Sequence, residues 1–306
     1  MTRVDTTQAT DDGLSGFPLE HALALVEVAL AEDLGPRGLD VTTLATIPAD
    51  QVRTAEVVAR APGVVAGIPV VSLVLEQVAE TLGVDVPSVE VVRDDGARVE
   101  RGDTIARVVG STRVVLVAER TLLNVVSRLS GVATHTRRWA DALEGTGTMV
   151  LDTRKTTPGM RWLEKYAVRC GGGTNKRMGL YDVAMIKDNH KLAAGSVAAA
   201  YALVRERFPD VPVQVEVTTP DEAQEAWDAG ARFVMCDNMD VATLTATVAL
   251  LRENASAAGE PVEIEATGGL TLEVVRDYAG SGVDYVSVGG LTHSSPIVDI
   301  ALDLVD

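Results

Sequence analysis

Val213-Gln214-Val215-Glu216-Val217, a helical pattern over residues 221–229 closed by Gly230, and then Phe233-Val234-Met235-Cys236-Asp237 form the stretch that decides the architecture. Two short, largely apolar strands separated by one helix are the repeating unit of a parallel sheet, because parallel neighbours need a crossover connection. The same unit recurs outward in both directions. Met149-Val150-Leu151-Asp152 and Ala184-Met185-Ile186-Lys187 precede it, and Val262-Glu263-Ile264-Glu265 and Tyr285-Val286-Ser287-Val288-Gly289 follow. Successive strands start 20 to 35 residues apart, with helical patterns such as residues 241–253 between them. Five of the six strands end in a charged side chain or run straight into one: Asp152 to Lys155, Lys187-Asp188, Glu216, Asp237 and Glu265. Functional groups gathered at the C-terminal ends of parallel strands mark an α/β barrel site, whereas an open doubly wound sheet concentrates them at one switch point. The spacing therefore predicts an α/β barrel of fewer than eight strands.

The first third has a different rhythm. Residues 18–34 carry apolar side chains at Leu19, Leu23, Val26 and Leu30, a helical spacing ended by Gly35-Pro36. Strands are predicted over 52–60, 64–66, 89–92 and 104–109, and a helix over 71–82, giving a mixed sheet-and-helix unit. Residues 99–105 resemble a turn common in biotinyl and lipoyl carrier domains, but such carriers need an exposed lysine at the hairpin tip and this region has none. Residues 115–130 read as a mostly buried helix that Gly131 loosens before a second helical stretch through Leu143. The expected organisation is a disordered polar tail over 1–14, a mixed α/β unit over 15–130 and a barrel over 131–291.

Composition narrows the function. With 46% apolar and 23% charged residues among 306, and no apolar run of membrane length, the chain reads as a soluble protein with no membrane partner. Cys170 and Cys236 are too few for a disulfide framework and lie in no metal-binding pattern, so a reduced, cytoplasmic setting is expected. A formal charge of −17 argues against nucleic acid as partner. Yet residues 154–191 hold nine basic against three acidic side chains, a local charge of +6 that leaves −23 for the remainder. A cationic pocket in an acidic protein points to a small, multiply charged anion.

The chemistry concentrates in Asp152-Thr153-Arg154-Lys155-Thr156-Thr157-Pro158-Gly159, continuing through Lys165-Tyr166-Ala167-Val168-Arg169, Gly171-Gly172-Gly173 and Asn175-Lys176-Arg177 to Ile186-Lys187-Asp188-Asn189-His190. Thr157 with Pro158 is expected to open a helix that the three glycines stop, and Arg161, Lys165 and Arg169 would form a basic stripe on it, with a solvated face as the alternative reading for Arg161 and Lys165. Arg154, Lys155, Arg177 and Lys187 stand at strand ends or in a Gly-rich loop with no acidic partner nearby in sequence. Arginine forks match carboxylates bidentately, and lysine serves phosphate as a point charge. Thr267-Gly268-Gly269 and Gly289-Gly290 offer bare backbone at two adjacent strand ends, a plausible phosphate cradle.

These segments, with Ala31-Glu32-Asp33-Leu34-Gly35, Glu119-Arg120, Asn124, Leu129-Ser130-Gly131, Asp237-Asn238-Met239, Glu265-Ala266-Thr267-Gly268-Gly269 and Ser287-Val288-Gly289-Gly290-Leu291-Thr292-His293-Ser294, resemble the quinolinate phosphoribosyltransferases from about Ala29 to the C-terminus. The resemblance implies a barrel and an N-terminal open sandwich joined by a C-terminal helix over 292–306. It implies transfer of phosphoribosyl from phosphoribosyl pyrophosphate to quinolinate with decarboxylation, Mg2+ as cofactor, and a homodimer in which Arg120 comes from the partner subunit. Arg120, Arg154, Arg177 and Lys187, with Lys176, would bind the quinolinate carboxylates. Lys155 and Lys187 would neutralise phosphate, and Glu216 and Asp237 would hold ribose hydroxyls and the metal. Thr267, Gly268, Gly269, Gly289 and Gly290 would wrap the 5′-phosphate. Lys176 departs from the family, which places histidine there, and Thr267 replaces the more usual serine. Of His21, His135, His190 and His293, only the last two lie in these blocks; each is expected to be a structural hydrogen-bond partner, and no general base is assigned. The rival readings are a related transferase for another heteroaromatic acid and a non-catalytic phosphoribosyl pyrophosphate sensor. The second should lack one of Glu216 and Asp237, and both are present.

Overall fold

The computed structural model describes residues 16–305, so the tail expected over 1–14 lies outside the described residues. The chain divides into two compact units, one of residues 138–155 and 173–290, the other of 16–137, 156–172 and 291–306.

In the second unit, α1 (Leu19–Leu34) is followed by α2 (Val41–Thr46), which Asp40 caps by accepting from the backbone of Thr42 and Thr43 at 2.9 and 3.0 Å. Next come β1 (Val52–Ala59), β2 (Gly63–Val64), α3 (Pro69–Leu82), β3 (Ser88–Val91), β4 (Arg98–Val99) and β5 (Thr104–Ser111). Pro69 opens α3 and Gly83 closes it at φ 64°. The 32-residue α4 (Thr112–Leu143) is continuous, where a break at Gly131 was expected. Gly131 answers a different need: a Cβ there would lie 2.2 Å from the Pro296 carbonyl oxygen, so glycine permits close backbone approach without bending the helix.

The end of the chain corrects a second expectation. In place of a helix over 292–306 there is one short turn and then a strand, β12 (Ile300–Val305), antiparallel to β1 with Thr54 opposite Val305 and Ala59 opposite Ile300. The alternation decides it. Ile300 and Leu302 are buried while Ala301 and Asp303 face away, a period of two, and Asp303 accepts from Arg60 at 2.6 Å. The resulting sheet has the order β12-β1-β5-β3 and is antiparallel throughout.

The first unit contains β6 (Met149–Leu151), β7 (Ala184–Ile186), β8 (Val213–Val217), β9 (Phe233–Asp237), β10 (Glu263–Thr267) and β11 (Tyr285–Ser287). They form one parallel sheet in the order β6-β11-β10-β9-β8-β7, the six strands read from the sequence. Between them run α6 (Asp188–Ala194), α7 (Val197–Arg207), α8 (Pro220–Asp228), α9 (Val241–Ala258) and α10 (Val275–Ala279), while α5 (Arg161–Cys170) belongs to the other unit. Helix α8 begins where Thr219 accepts from Glu222 ahead of Pro220, and α9 where Asp240 accepts from Thr243. The sheet curls. Thr174, in the segment leading to β7 at one edge, forms a parallel bridge with Leu151 of β6 at the other edge, which brings the two edges towards each other. Met149, Leu151, Phe233 and Tyr285 pack together, with the buried polar side chains of Gln214 and Glu263 at the level of Phe233. Glu216, Asp237 and Glu265 lie further towards the C-terminal ends of their strands.

Helix α5 starts at Arg161, not at Thr157, because Gly159 has φ 80° and cannot belong to a right-handed helix. Thr157 turns to Glu164 instead, donating to it from its backbone N–H at 2.9 Å and its hydroxyl at 2.7 Å. The basic stripe expected on this helix is also revised: Lys165 is fully buried. No helix among the described residues is long and apolar enough to cross a membrane.

Candidate active site

The charged groups predicted at the strand ends of the barrel come together in one unit. Asp152, fully buried at the end of β6, accepts from the Asn175 side chain at 2.6 Å and from the Lys176 backbone N–H at 2.8 Å. It therefore sets the path of the Asn175-Lys176-Arg177 segment.

Arg177 is buried and donates to the Val183 carbonyl at 3.0 Å. Burial and, after it, the nearby charge of Arg154 both push its pKa down. Arg154 has a buried Nε with no hydrogen-bond partner among the described residues. The charge of Asp182 offsets the lowering in part for Arg177, and an unpaired buried donor costs about 1–3 kcal/mol. Lys155, next in sequence, is exposed.

Lys187 is the N-cap of α6, and its backbone N–H donates to His190 Nδ1 at 3.0 Å. That histidine is thus a helix cap, as expected. The Lys187 ammonium donates to Glu216 on β8. Lys191, buried on α6, pairs with Asp188 at 2.8 Å and Glu222 at 3.1 Å and donates to the Glu216 carbonyl. His293, on the other unit, pairs through Nδ1 with Ser294 at 2.6 Å.

The Asp237 carboxyl is held above the ordinary aspartate value by burial and then by the charge of Glu216. Two neighbouring carboxyl groups are suited to a cation or to hydroxyl groups. No group of three or more potential metal ligands occurs among the described residues. The pair fits a magnesium ion that takes its remaining ligands from substrate phosphate and water, as that ion commonly does.

Thr267 donates no charge, but its hydroxyl accepts from Ser287 at 2.9 Å, linking β10 to β11. Gly268 and Gly269 have φ 91° and 62°, and a Cβ on Gly268 would lie 2.3 Å from Asn238 Oδ1. A Cβ on Gly269 would meet nothing within 4 Å, so its backbone borders open space. Gly289 and Gly290 follow β11 directly. Arg120 belongs to the other unit, where it is exposed on α4 and makes no hydrogen bond or ion pair among the described residues. A cavity of about 530 Å3 opens beside Arg177, but its wall of Leu180, Met185, Ile186 and Leu203 is apolar and lacks the acids.

The Lys176 ammonium, expected to bind an acceptor carboxylate, donates to Glu265 at 2.6 Å, and Gln214 on β8 donates to the other carboxylate oxygen at 2.7 Å. Gln214 was missed by sequence reasoning. The signal was present, since a polar residue two positions before Glu216 on a strand shares its face.

Parallel strands with cations, paired acids and glycine turns at their C-terminal ends define an α/β-barrel enzyme of the phosphoribosyl-transferring class. Family models of the quinolinate phosphoribosyl transferase N-terminal and C-terminal domains match residues 40–130 and 132–303. The chain belongs to the quinolinate phosphoribosyltransferase family. It is 46% identical over 291 residues to the carboxylating nicotinate-nucleotide pyrophosphorylase of Mycobacterium leprae, covering 95% of this chain and 100% of the relative. It is 40% identical over 278 residues to the probable Bacillus subtilis enzyme of the same name, covering 89% and 90%. The solved nicotinate-nucleotide pyrophosphorylase of Francisella tularensis superposes with a TM-score of 0.88 at 33% identity, covering 96% of this chain and 99% of that one.

Proposed function

We propose that this enzyme transfers the phosphoribosyl group of phosphoribosyl pyrophosphate to the nitrogen of quinolinate, with decarboxylation, giving nicotinate mononucleotide, carbon dioxide and pyrophosphate. The observation that carries the reading is the Arg154–Arg177 pair in the same unit as Glu216 and Asp237. Two neighbouring guanidinium groups, with Asp182 the one acid that acts on Arg177 and a buried Arg154 Nε left unpaired among the described residues, suit acceptor carboxylates, and the acids suit a ribosyl cation.

In this reading Arg154 and Arg177, with Arg120 from a partner subunit in a homodimer, hold quinolinate so that its nitrogen lies in line with the anomeric carbon. The C–O bond to pyrophosphate breaks with its electron pair on the leaving oxygen as the N–C bond forms. Glu216 and Asp237 face the positive charge that develops on the ribose ring, and Lys155 and Lys187 face the phosphate oxygens. Magnesium, held by Glu216 and Asp237 with the diphosphate, would supply charge neutralisation of the leaving group. The alkylated ring nitrogen then accepts the electron pair of the C2–carboxylate bond as carbon dioxide departs. Thr267 and the glycines after β10 and β11 receive the 5′-phosphate. The two cysteines, unpaired and buried or half-buried, support a reducing, cytoplasmic setting.

The test is an assay of the purified protein with quinolinate, phosphoribosyl pyrophosphate and magnesium, following carbon dioxide and nicotinate mononucleotide, with nicotinate as control acceptor. Quinolinate-dependent formation of both products is expected. Turnover of nicotinate alone would move the acceptor to another heteroaromatic acid, and tight binding of phosphoribosyl pyrophosphate without turnover would reduce the protein to a sensor.

A further inference from the structure

Two lysine–glutamate pairs lie at one level of the barrel, because Glu216 and Glu265 are both opposite Met235 in the strand registers. They differ in accessibility. The Lys187 side chain is 46% exposed, whereas those of Lys176 and Glu265 are 9% and 0% exposed. Both Glu265 oxygens are engaged, one by Lys176 and the other by Gln214. The Lys176 ammonium also lies 3.3 Å from Met235 Sδ, and its backbone N–H is fixed by Asp152. Asp152, Gln214 and Glu265 belong to β6 or its end, β8 and β10, which alternate in the sheet order. Side chains from alternate strands build the interior layers of such barrels.

We infer that Lys176 is a positioning residue, the interior counter-ion of Glu265, which ties the ends of β6, β8 and β10 together beneath the site and does not bind an acceptor carboxylate. A buried carboxylate needs a partner charge, and Lys176 provides it. The acceptor carboxylates are then left to Arg154 and Arg177, with Arg120 as in the proposed function. The charged groups around Lys176 are Glu265, which favours its protonated form, and Lys187 and Arg177, which oppose it along with burial. Lysine differs from histidine here in its reach and in an ordinary pKa far above that of imidazole, although burial lowers it.

The inference rests on the proposed reaction, and the experiment separates the two. Lys176→Met, Glu265→Gln, the double variant and Lys176→His are compared with the parent enzyme for kcat, for the quinolinate KM and for stability to denaturant. For Lys176→Met a fall in kcat of about tenfold or more is expected with the quinolinate KM within about threefold, the signature of an interaction not made with the ground-state acceptor. The charge-neutral double variant should recover kcat and stability relative to either single variant, because no buried charge is left alone. Lys176→His should give kcat a new alkaline limb near pH ~6.5, where neutral imidazole abandons Glu265, with KM little changed. A quinolinate KM raised tenfold or more in Lys176→Met and again in the double variant, with kcat kept, would overturn the assignment and make Lys176 an acceptor ligand. If the parent enzyme itself does not turn over quinolinate, the functional reading fails, and the denaturant cycle still decides the ion pair: additive losses without recovery would sink it.

Discussion

Arg154 and Arg177 set the chemistry at the scale of single residues: their charges oppose each other, only Asp182 offsets the charge at Arg177, and the buried Arg154 Nε has no hydrogen-bond partner among the described residues, so an anionic ligand would complete the pair. Replacing Arg154 by alanine should lower kcat/KM for quinolinate by about 10²–10³, the usual cost of losing one charge-stabilising donor, with an unchanged far-ultraviolet circular dichroism spectrum. Near-normal turnover would count against the assignment. Asp237 makes a second prediction, on pH. Its folded-state pKa lies above 3.8, so the proton returns to it at a higher pH than to an ordinary aspartate. As an anion it is held against burial and Glu216, so its contribution to stability rises, not falls, as pH drops through that window. Activity behaves oppositely, because protonated Asp237 no longer faces the ribosyl cation with a charge. The acid limb of kcat/KM should therefore sit above the ordinary aspartate range and vanish from the residual activity of Asp237→Asn; an unchanged limb in that variant would assign it elsewhere. The cations at the strand ends were legible in the sequence because charge at such positions has few structural uses. Lys165 and Lys176 were not, since a side chain's burial depends on partners far along the chain, here Glu265, 89 residues beyond Lys176.

At the scale of elements, the turn between β6 and α5 depends on one carboxylate. Glu164, fully buried, accepts from the backbone and hydroxyl of Thr157 and from Arg128 on α4 at 2.7 Å. Arg128 donates in turn to the carbonyls of Ser295 and Thr292. Thr157 follows Lys155 by two residues, so this network fixes the chain leaving the Arg154-Lys155 pair. Arg128→Ala strands the Glu164 charge and should destabilise the enzyme by about 3–5 kcal/mol in denaturant unfolding, against a smaller loss for Glu164→Gln. Equal and small losses would show that the network is dispensable. The six barrel strands could be read from apolar runs at regular spacing, a signal local to each run. Where elements began and ended depended on more. Gly131 resembled a break but serves the approach of Pro296, and the last strand was read as a helix because its pairing with β1 joins residues about 250 apart in sequence.

At the scale of the molecule, the charge distribution is a sorting device. A chain of formal charge −17 repels anions in general, and within the barrel unit the Arg154–Arg177 pair concentrates attraction, which favours a small anionic ligand over an extended polyanion. The remaining cation, Arg120, is exposed on the unit that does not contain the barrel and has no acidic partner among the described residues. A long charged side chain left unpaired is free to act on a neighbour, and a two-fold dimer would present it twice. Mixing tests this directly. In the proposed homodimer, Arg120→Ala and Arg154→Ala should each be nearly inactive. When the two variants are unfolded together and refolded in equal amounts, half the dimers are mixed, and each mixed dimer has one barrel with Arg154 opposite a partner with Arg120. About a quarter of the parent enzyme's activity should return, because one site in two of half the dimers is whole. If Arg120 instead serves its own subunit, every site in the mixture lacks one of the two arginines and no activity returns.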